Sequence, residues 1–323
     1  MAVVLQIFSN NILPIFLLIL LGFFFGRAFD VHMPTLSKLN FMIFVPCFTF
    51  TNLYLANLDV SAALAFVAAA ILLGLNLLIP KLLAPLLKLN KSRTKAFQNS
   101  VAFYNSGNIG IPLITLVFST GQYLVDGETP WLSMAMATQI MVLLVQNATT
   151  NTVGYYNAWS AKVTWKEALK KVVTMPTIYG VILAFICRAI PYNIEGTPVF
   201  VTLRYVSNGL VPIALLTLGV QLSRSKIRFK LKEAYIAVLL RLLGGPLLCF
   251  AIIKLLGIEG VTAQVLMISS AVPTAVNTAL IAADADNHPD YAAQVVLMST
   301  ILCSVTLIAV IFIATRLFPV VPL

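Results

Sequence analysis

One stretch decides how this chain folds, and it reads Phe103-Tyr104-Asn105-Ser106-Gly107-Asn108-Ile109-Gly110-Ile111-Pro112. It lies inside a long apolar segment, yet it combines Asn, Ser, Gly and Pro. Glycine weakens a helix, and proline removes a backbone donor. In lipid, unwound backbone is tolerated only inside protein or beside a water-filled cavity. We therefore predict a membrane helix that is broken at a polar site.

A second polar interruption lies in the other half of the chain, and it reads Ser269-Ser270-Ala271-Val272-Pro273-Thr274-Ala275-Val276-Asn277-Thr278. Interrupted apolar segments at corresponding places in two halves of a chain indicate the substrate site of a transporter. The alternative is a pair of kinked packing helices with small residues at their contacts.

Composition places the chain in the membrane. Hydrophobic residues make up 60% of it and charged residues 10%, against roughly 25% charged in soluble domains. The net charge of +10 comes from Lys and Arg clustered in loops, so it predicts no nucleic acid partner. The four cysteines all fall in apolar segments, which favours packing roles over disulfides or a metal site.

The apolar pattern predicts an all-α membrane protein of about ten transmembrane helices. The predicted spans are Ile7–Phe29, Leu36–Ala56, Val60–Leu83, Ala96–Ser119, Trp131–Tyr155, Val173–Ile190, Val199–Leu222, Ala234–Leu256, Thr262–Ala283 and a tenth that ends near Phe318. Spans 4 and 9 are the broken ones. In span 1, Gly22 and Gly26 form a G-x-x-x-G pair, which permits close helix packing.

Similar residues recur at corresponding positions in the two halves of the chain. Pro46 corresponds to Pro212, Pro80 to Pro246, and residues 106–110 to residues 275–279. An odd number of spans in each half turns the second half upside down and gives an inverted repeat. The predicted units are residues 1–157, a basic cytoplasmic linker over 158–172, and residues 173–323. Lys and Arg concentrate in the loops after spans 1, 3, 5 and 7, which predicts that those loops are cytoplasmic and both termini extracytoplasmic.

The predicted site suits an anion. Every acidic residue lies in a loop or at a helix end, which argues against a cation exchanger that carries protons on buried carboxylates. Half-helix N-termini, amides and hydroxyls instead offer hydrogen-bond donors to a carboxylate. The side chains expected to bind it are Asn105, Ser106, Asn108, Thr274 and Asn277. The residues expected to break the helices are Gly107, Gly110, Pro112 and Pro273.

Further polar residues are candidates for an ion site or for supporting the substrate site. They are Asn76, Gln139, Arg241 and Gln294. The carbonyls at half-helix C-termini could hold sodium together with a glutamine, although a hydrogen bond between helices explains each glutamine equally well. An intramembrane Arg is a functional candidate, with pairing to backbone carbonyls as the alternative. We expect no cofactor and no metal, and the coupling ion stays open between Na+ and H+.

Three motifs carry a family resemblance. They are Asn105-Ser106 followed by Gly110-Ile111-Pro112-Leu113, Arg241-Leu242-Leu243-Gly244-Gly245-Pro246, and His288-Pro289-Asp290. With these motifs in this order, the chain resembles the auxin efflux carrier family. That family includes plant PIN carriers and bacterial proteins described as malate or malonate permeases. The resemblance covers essentially all ten spans. The chain departs from PIN carriers at Thr278, where they have Pro, and at Asn76, about where they have Asp.

The resemblance implies a fold shared with bile-acid/sodium symporters. Spans 1, 2, 6 and 7 would form a scaffold and dimer interface, and spans 3, 4, 5, 8, 9 and 10 a transport domain that moves like an elevator. The long central loop of many plant members is missing, so the chain looks like the prokaryotic members. We therefore expect a homodimeric carrier of small mono- or dicarboxylates in the cytoplasmic membrane.

Other functions remain open at this stage. A sodium-coupled symporter of larger amphipathic or aromatic acids, similar to bile acids or auxin, is the main alternative. An intramembrane enzyme would need a general base at membrane depth, and the chain offers neither His nor acid there. A sensor that binds its ligand without moving it is the last alternative.

Overall fold

The computed structural model describes residues 2–56, 60–159, 166, 170, 174–224 and 231–320. Within these residues the chain is helical and has no strand beyond isolated bridges. Residues 57–59, most of the predicted linker 158–172 and residues 225–230, with Lys226, Arg228 and Lys230, lie outside the described part.

We number the main helices α1 to α12 in chain order. Six of them are long and apolar enough to cross a membrane: α1, α3, α6, α8, α9 and α12. Their bounds are α1 2–28, α2 33–55, α3 Val60–Leu83, α4 Lys91–Ala102, α5 Ser106–Phe118, α6 Leu132–Trp159, α7 Pro176–Ala189, α8 Pro198–Ser223, α9 Lys232–Leu256, α10 Gly260–Ser270, α11 Val276–Asp284 and α12 Pro289–Leu317. Helices α5, α7 and α10 are shorter but apolar. The protein is therefore an all-α, multi-pass membrane protein.

Four of the five wide π-helical turns in the described residues precede a proline, and the fifth, Thr150–Gly154, does not. The turns at Phe8–Ile12, Asn40–Phe44, Ser106–Gly110 and Leu240–Gly244 are each followed, two residues later, by a proline. Proline lacks an N–H group and its ring clashes with the carbonyl of the preceding turn. A π-turn inserts one extra residue there, so the helix continues past the proline. These prolines therefore widen their helices without ending them.

Two sets of helices pack among themselves. Helix α1 runs along α8, and α2 packs on α7 and α8. Helix α3 packs on α4, α6 and α9, while α10 packs on α6, α9 and α12. A side chain at Gly22 would overlap the backbone of Leu216, and one at Gly26 would meet Ser223 at 2.6 Å. The G-x-x-x-G pair is therefore covered by α8 of the same chain.

Polar contacts join the first residues of α4, α9 and α12. Arg93 pairs with Glu233 at 2.8 Å, and its guanidinium lies 4.2 Å from the centre of the Tyr291 ring. His288 precedes α12 with a positive φ of 53°. Burial and the Arg93 guanidinium lower the pKa of His288, and the Glu233 carboxylate opposes this shift. His288 belongs to the turn before α12.

Candidate substrate-binding site

The two polar interruptions meet and pair with each other. Helix α4 ends at Ala102 and α5 begins at Ser106, while α10 ends at Ser270 and α11 begins at Val276. Between them the backbones cross as an antiparallel bridge. The Asn105 amide donates to the Pro273 carbonyl at 2.8 Å, and the Ala275 amide donates to the Phe103 carbonyl at 2.9 Å. Each unwound segment thus satisfies backbone groups of the other, as buried chain requires.

Neighbouring helices satisfy further groups of the crossing. Gln146 of α6 accepts from the Tyr104 amide at 3.1 Å. The Thr274 amide donates to the Ser299 hydroxyl at 3.1 Å, and the Thr274 hydroxyl donates to the Ser100 carbonyl at 2.7 Å. Thr274 is fully buried and does not line the cavity described next. Its side chain holds the crossing together, whereas the sequence suggested a contact with the substrate.

A small polar cavity of about 30 Å³ lies at the crossing. Its lining consists of Phe41, Tyr104, Asn105, Ser106, Gly107, Asn108, Gln146, Asn147, Thr150, Ala275, Val276 and Asn277. No charged side chain is among them. Of the predicted substrate-binding residues, the crossing thus brings together Asn105, Ser106, Asn108 and Asn277.

Amide groups dominate the cavity, and several of their donors are unused. The Asn105 side chain caps α5 by accepting from the Asn108 amide at 3.1 Å, and its Nδ2 has no partner. Gln146 Nε2 is likewise unpaired, and the half-buried side chain of Asn277 lines the same cavity. Asn40 of α2 donates to Asn108 Oδ1 at 2.9 Å. Unsatisfied buried donors are costly, so these groups are suited to an acceptor ligand.

The four helix ends place opposite partial charges on different parts of the crossing. The N-termini of α5 and α11 lie at the cavity with their positive dipole ends, while the Ser106 amide at the start of α5 donates to the Tyr104 carbonyl at 2.8 Å. The C-termini of α4 and α10 meet the guanidinium of Arg241, which is fully buried. Arg241 Nη1 donates to the Val101 carbonyl at 2.8 Å, and Nη2 donates to the Ser270 carbonyl. The guanidinium also lies 4.5 Å from the centre of the Tyr104 ring.

The other predicted supporting residues fall into two groups. Gln139 Nε2 donates to the Ser106 carbonyl at 2.8 Å, and its Oε1 accepts from the Ser269 hydroxyl, so Gln139 joins the two broken regions. Asn76 and Gln294 are buried but do not line the cavity. Asn76 Nδ2 and Gln294 Oε1 have no hydrogen-bond partner among the described residues.

The breaks differ in detail from the sequence expectation. Pro273 lies within its break, between α10 and α11. The first break, however, comprises Phe103 to Asn105, and Gly107, Gly110 and Pro112 lie inside α5. The physical reason is the π-turn at the start of α5, which accommodates Pro112 and leaves the helix continuous. Gly110 serves close packing, because Gln139 passes directly beside its backbone.

Several residues at the crossing were not identified as site residues from the sequence. Asn40 does not line the cavity, but its amide donates to Asn108, and only the fold brings the two residues together. Gln146, Asn147 and Thr150 formed a polar series within a predicted span, which was a usable signal. Tyr104 stood inside the quoted stretch, but an aromatic residue in an apolar segment gave no reason to single it out.

The two glycines of the α5 π-turn provide a matched pair for testing this packing. A Cβ atom at Gly110 would lie 2.5 Å from Gln139 Nε2, whereas one at Gly107 would lie 3.5 Å from the nearest atom of Leu143. We expect Gly110→Ala to lower the free energy of unfolding by about 1–3 kcal/mol through overpacking. Thermal unfolding in detergent should show this loss for Gly110→Ala and little change for Gly107→Ala. Equal melting temperatures of the two variants would contradict the described packing.

Crossed, broken helices in a multi-pass helical protein define a membrane transport fold, and comparison with known proteins agrees. The family model described as membrane transport protein matches residues 7–311, so the chain belongs to this family, the auxin efflux carrier family. It is 24% identical over 306 residues to an uncharacterized transporter of Methanothermobacter thermautotrophicus, and the alignment covers 93% of this chain and 96% of the relative. It is 26% identical over 278 residues to an uncharacterized transporter of Methanocaldococcus jannaschii, covering 83% and 86%.

Proposed function

We propose that this protein is a secondary transporter of small organic anions, mono- or dicarboxylates such as malate or malonate. The observation that carries the proposal is the set of unused amide donors at the crossing, where two helix N-termini also point. A carboxylate accepts hydrogen bonds and is stabilised by positive helix ends. Membership of a membrane transport family supports the same function.

The size of the cavity favours recognition of a carboxylate group rather than of a whole bulky molecule. A volume of about 30 Å³ accommodates one small polar group. Asn105, Asn277 and Gln146 would donate to the carboxylate oxygens. The rest of the substrate would extend towards Asn147 and Thr150, which lie nearer the C-terminal end of α6.

Arg241 argues for transport without sodium at the crossing. The carbonyls of Val101 and Ser270 lie at the C-terminal ends of α4 and α10, where a sodium ion would need oxygen ligands. Both accept hydrogen bonds from Arg241, so a fixed positive charge already takes that place. The sodium-coupled symporter of amphipathic acids is therefore the less favoured function. The cavity lining has no carboxylate and no histidine that could carry a proton, which disfavours coupling to H+ at the crossing.

The finer architecture belongs to the same proposal. We infer ten spans in two inverted repeats, with α4–α5 and α10–α11 as the broken ones. The mutual packing of α1, α2, α7 and α8 supports a scaffold against which the remaining helices move as an elevator. The bond from Asn40 to Asn108 would then join scaffold and transport domain in one state of the cycle. The carrier would be a homodimer in the cytoplasmic membrane, with both termini extracytoplasmic.

Counterflow in proteoliposomes tests the proposal. The liposomes are preloaded with unlabelled malate or malonate, and uptake of the labelled compound is followed with no ion gradient. We expect uptake that is the same in sodium and in choline buffers. Absence of counterflow for both compounds in either buffer would remove small dicarboxylates as substrates. Uptake that requires sodium would favour the symporter and contradict the role given to Arg241.

A further inference from the structure

A second cavity lies at the end of the molecule that we assign to the cytoplasmic side. Its volume is about 540 Å³, and it is formed by the last turn of α3, the turn that follows, the start of α4 and the end of α6. Its polar lining consists of Lys81, Lys91, Thr94, Lys95, Gln98 and Asn157. It shares no lining residue with the cavity at the crossing. Its size is that of a small-molecule site.

The charged side chains that line this cavity are all positive. Among the described residues, three lysines line it and no carboxylate does. Neither of the ion pairs formed within the described residues includes any of the three lysines. Lys91 and Lys95 lie one turn apart on α4, where like charges repel. Burial and the charge of Lys91 lower the pKa of Lys95, which an anionic ligand would reverse.

The surroundings indicate a membrane surface. Lys81 lies in the last turn of α3, and the Lys95 ammonium lies 5.1 Å from the centre of the Tyr156 ring. Tyr155 and Trp159 pack against each other on the same end of α6, with ring centroids 5.8 Å apart. Such aromatic residues are enriched where the bilayer meets water.

Apolar surface continues from the cavity towards the bilayer. Leu78 and Leu82 on α3 are 47% and 63% exposed, and Leu86 in the following turn is 77% exposed. These leucines lie within one or two turns of Lys81 in sequence. A basic cavity beside exposed leucines matches a molecule with an anionic head and acyl chains.

We propose that this cavity binds the phosphate-containing headgroup of an anionic phospholipid from the adjacent leaflet. Lys81, Lys91 and Lys95 would contact the phosphate, and Leu82 and Leu86 the first part of the acyl chains. The site would anchor the α3–α4 end of the molecule at the membrane surface. It does not depend on the identity of the transported substrate, and its test requires no transport.

Native mass spectrometry of the purified full chain tests the site with phosphatidylglycerol and with phosphatidylcholine of the same acyl chains. We expect preferential retention of phosphatidylglycerol. Replacing Lys81, Lys91 and Lys95 with Gln should reduce its affinity by about five-fold for each lysine and about a hundred-fold in the triple variant. The control replaces the exposed residues Lys166, Lys170 and Lys232 with Gln. It removes the same number of positive charges as the triple variant. The control variant should retain the lipid.

Further experiments distinguish a lipid ligand from a soluble anion at this cavity. Leu82→Ser with Leu86→Ser should weaken phosphatidylglycerol retention while leaving the lysines intact. Inorganic phosphate at the same concentration should not displace the lipid. The single variant Lys95→Gln provides a readout should the triple variant not fold. Equal retention of the two lipids, equal losses in both triple variants, or displacement by inorganic phosphate would overturn the proposal.

Discussion

Replacing Asn277 with alanine should reduce carboxylate counterflow by about 10- to 100-fold, which is the effect of losing one hydrogen bond to a charged group. Asn277 lines the cavity and is half-buried, so its truncation to alanine should perturb the fold little. Asn108→Ala should likewise lose transport, although it also removes the acceptor of Asn40. Uptake into proteoliposomes and gel filtration of the purified variants measure transport and folding separately.

Asn52→Ala is the matched control for these variants. Asn52 lies on α2, and its amide donates only to the Phe48 carbonyl of its own helix at 2.9 Å. Its replacement should leave counterflow close to that of the unchanged protein. Undiminished uptake by both Asn277→Ala and Asn108→Ala would contradict the assignment of the site.

Replacing Arg241 with methionine should produce the largest loss of stability. The Val101 and Ser270 carbonyls would lose their donors in a fully buried region. Each unsatisfied acceptor costs about 1–3 kcal/mol, so the free energy of unfolding should fall by about 2–6 kcal/mol. The negative ends of α4 and α10 would also lose their compensating charge. Thermal unfolding in detergent should show a correspondingly lower transition.

Two further variants make this measurement specific. Arg241→Lys retains the charge but not the planar guanidinium that reaches both carbonyls, so its stability should be intermediate. Arg316 is exposed at the end of α12, and Arg316→Met should unfold like the unchanged protein. An Arg241→Met protein that is as stable as the unchanged protein would show that the two half-helices do not depend on this residue.

The sequence predicted the broken helices because their composition conflicts with their surroundings. Asn, Ser, Gly and Pro at membrane depth are costly unless they meet a partner or a cavity, and that cost is readable without a structure. The all-helical membrane fold and the transporter family are confirmed. The division into repeats and the substrate-binding residues stay predictions.

The contacts that complete the site could not be predicted from the sequence. Thr274 looked like a ligand, but its hydroxyl donates to Ser100, which is distant in the chain. Nothing in the sequence singled out Asn40, whose amide donates to Asn108 Oδ1. Side-chain direction around a π-turn depends on the extra residue, which periodicity does not show. Local composition therefore located the breaks, whereas the identities of their partners depended on tertiary packing.

Substrate protection of one cysteine tests most directly whether the carboxylate binds at the crossing. Ala275→Cys places a thiol in the cavity lining, in a protein whose Cys47, Cys187, Cys249 and Cys303 have been replaced. With malate at about ten times its Kd, maleimide labelling should slow about ten-fold, since only the free fraction reacts. Gly196→Cys, in the open turn before α8, should label at an unchanged rate. A variant that transports malate but labels equally fast with and without it would contradict the crossing as the binding site.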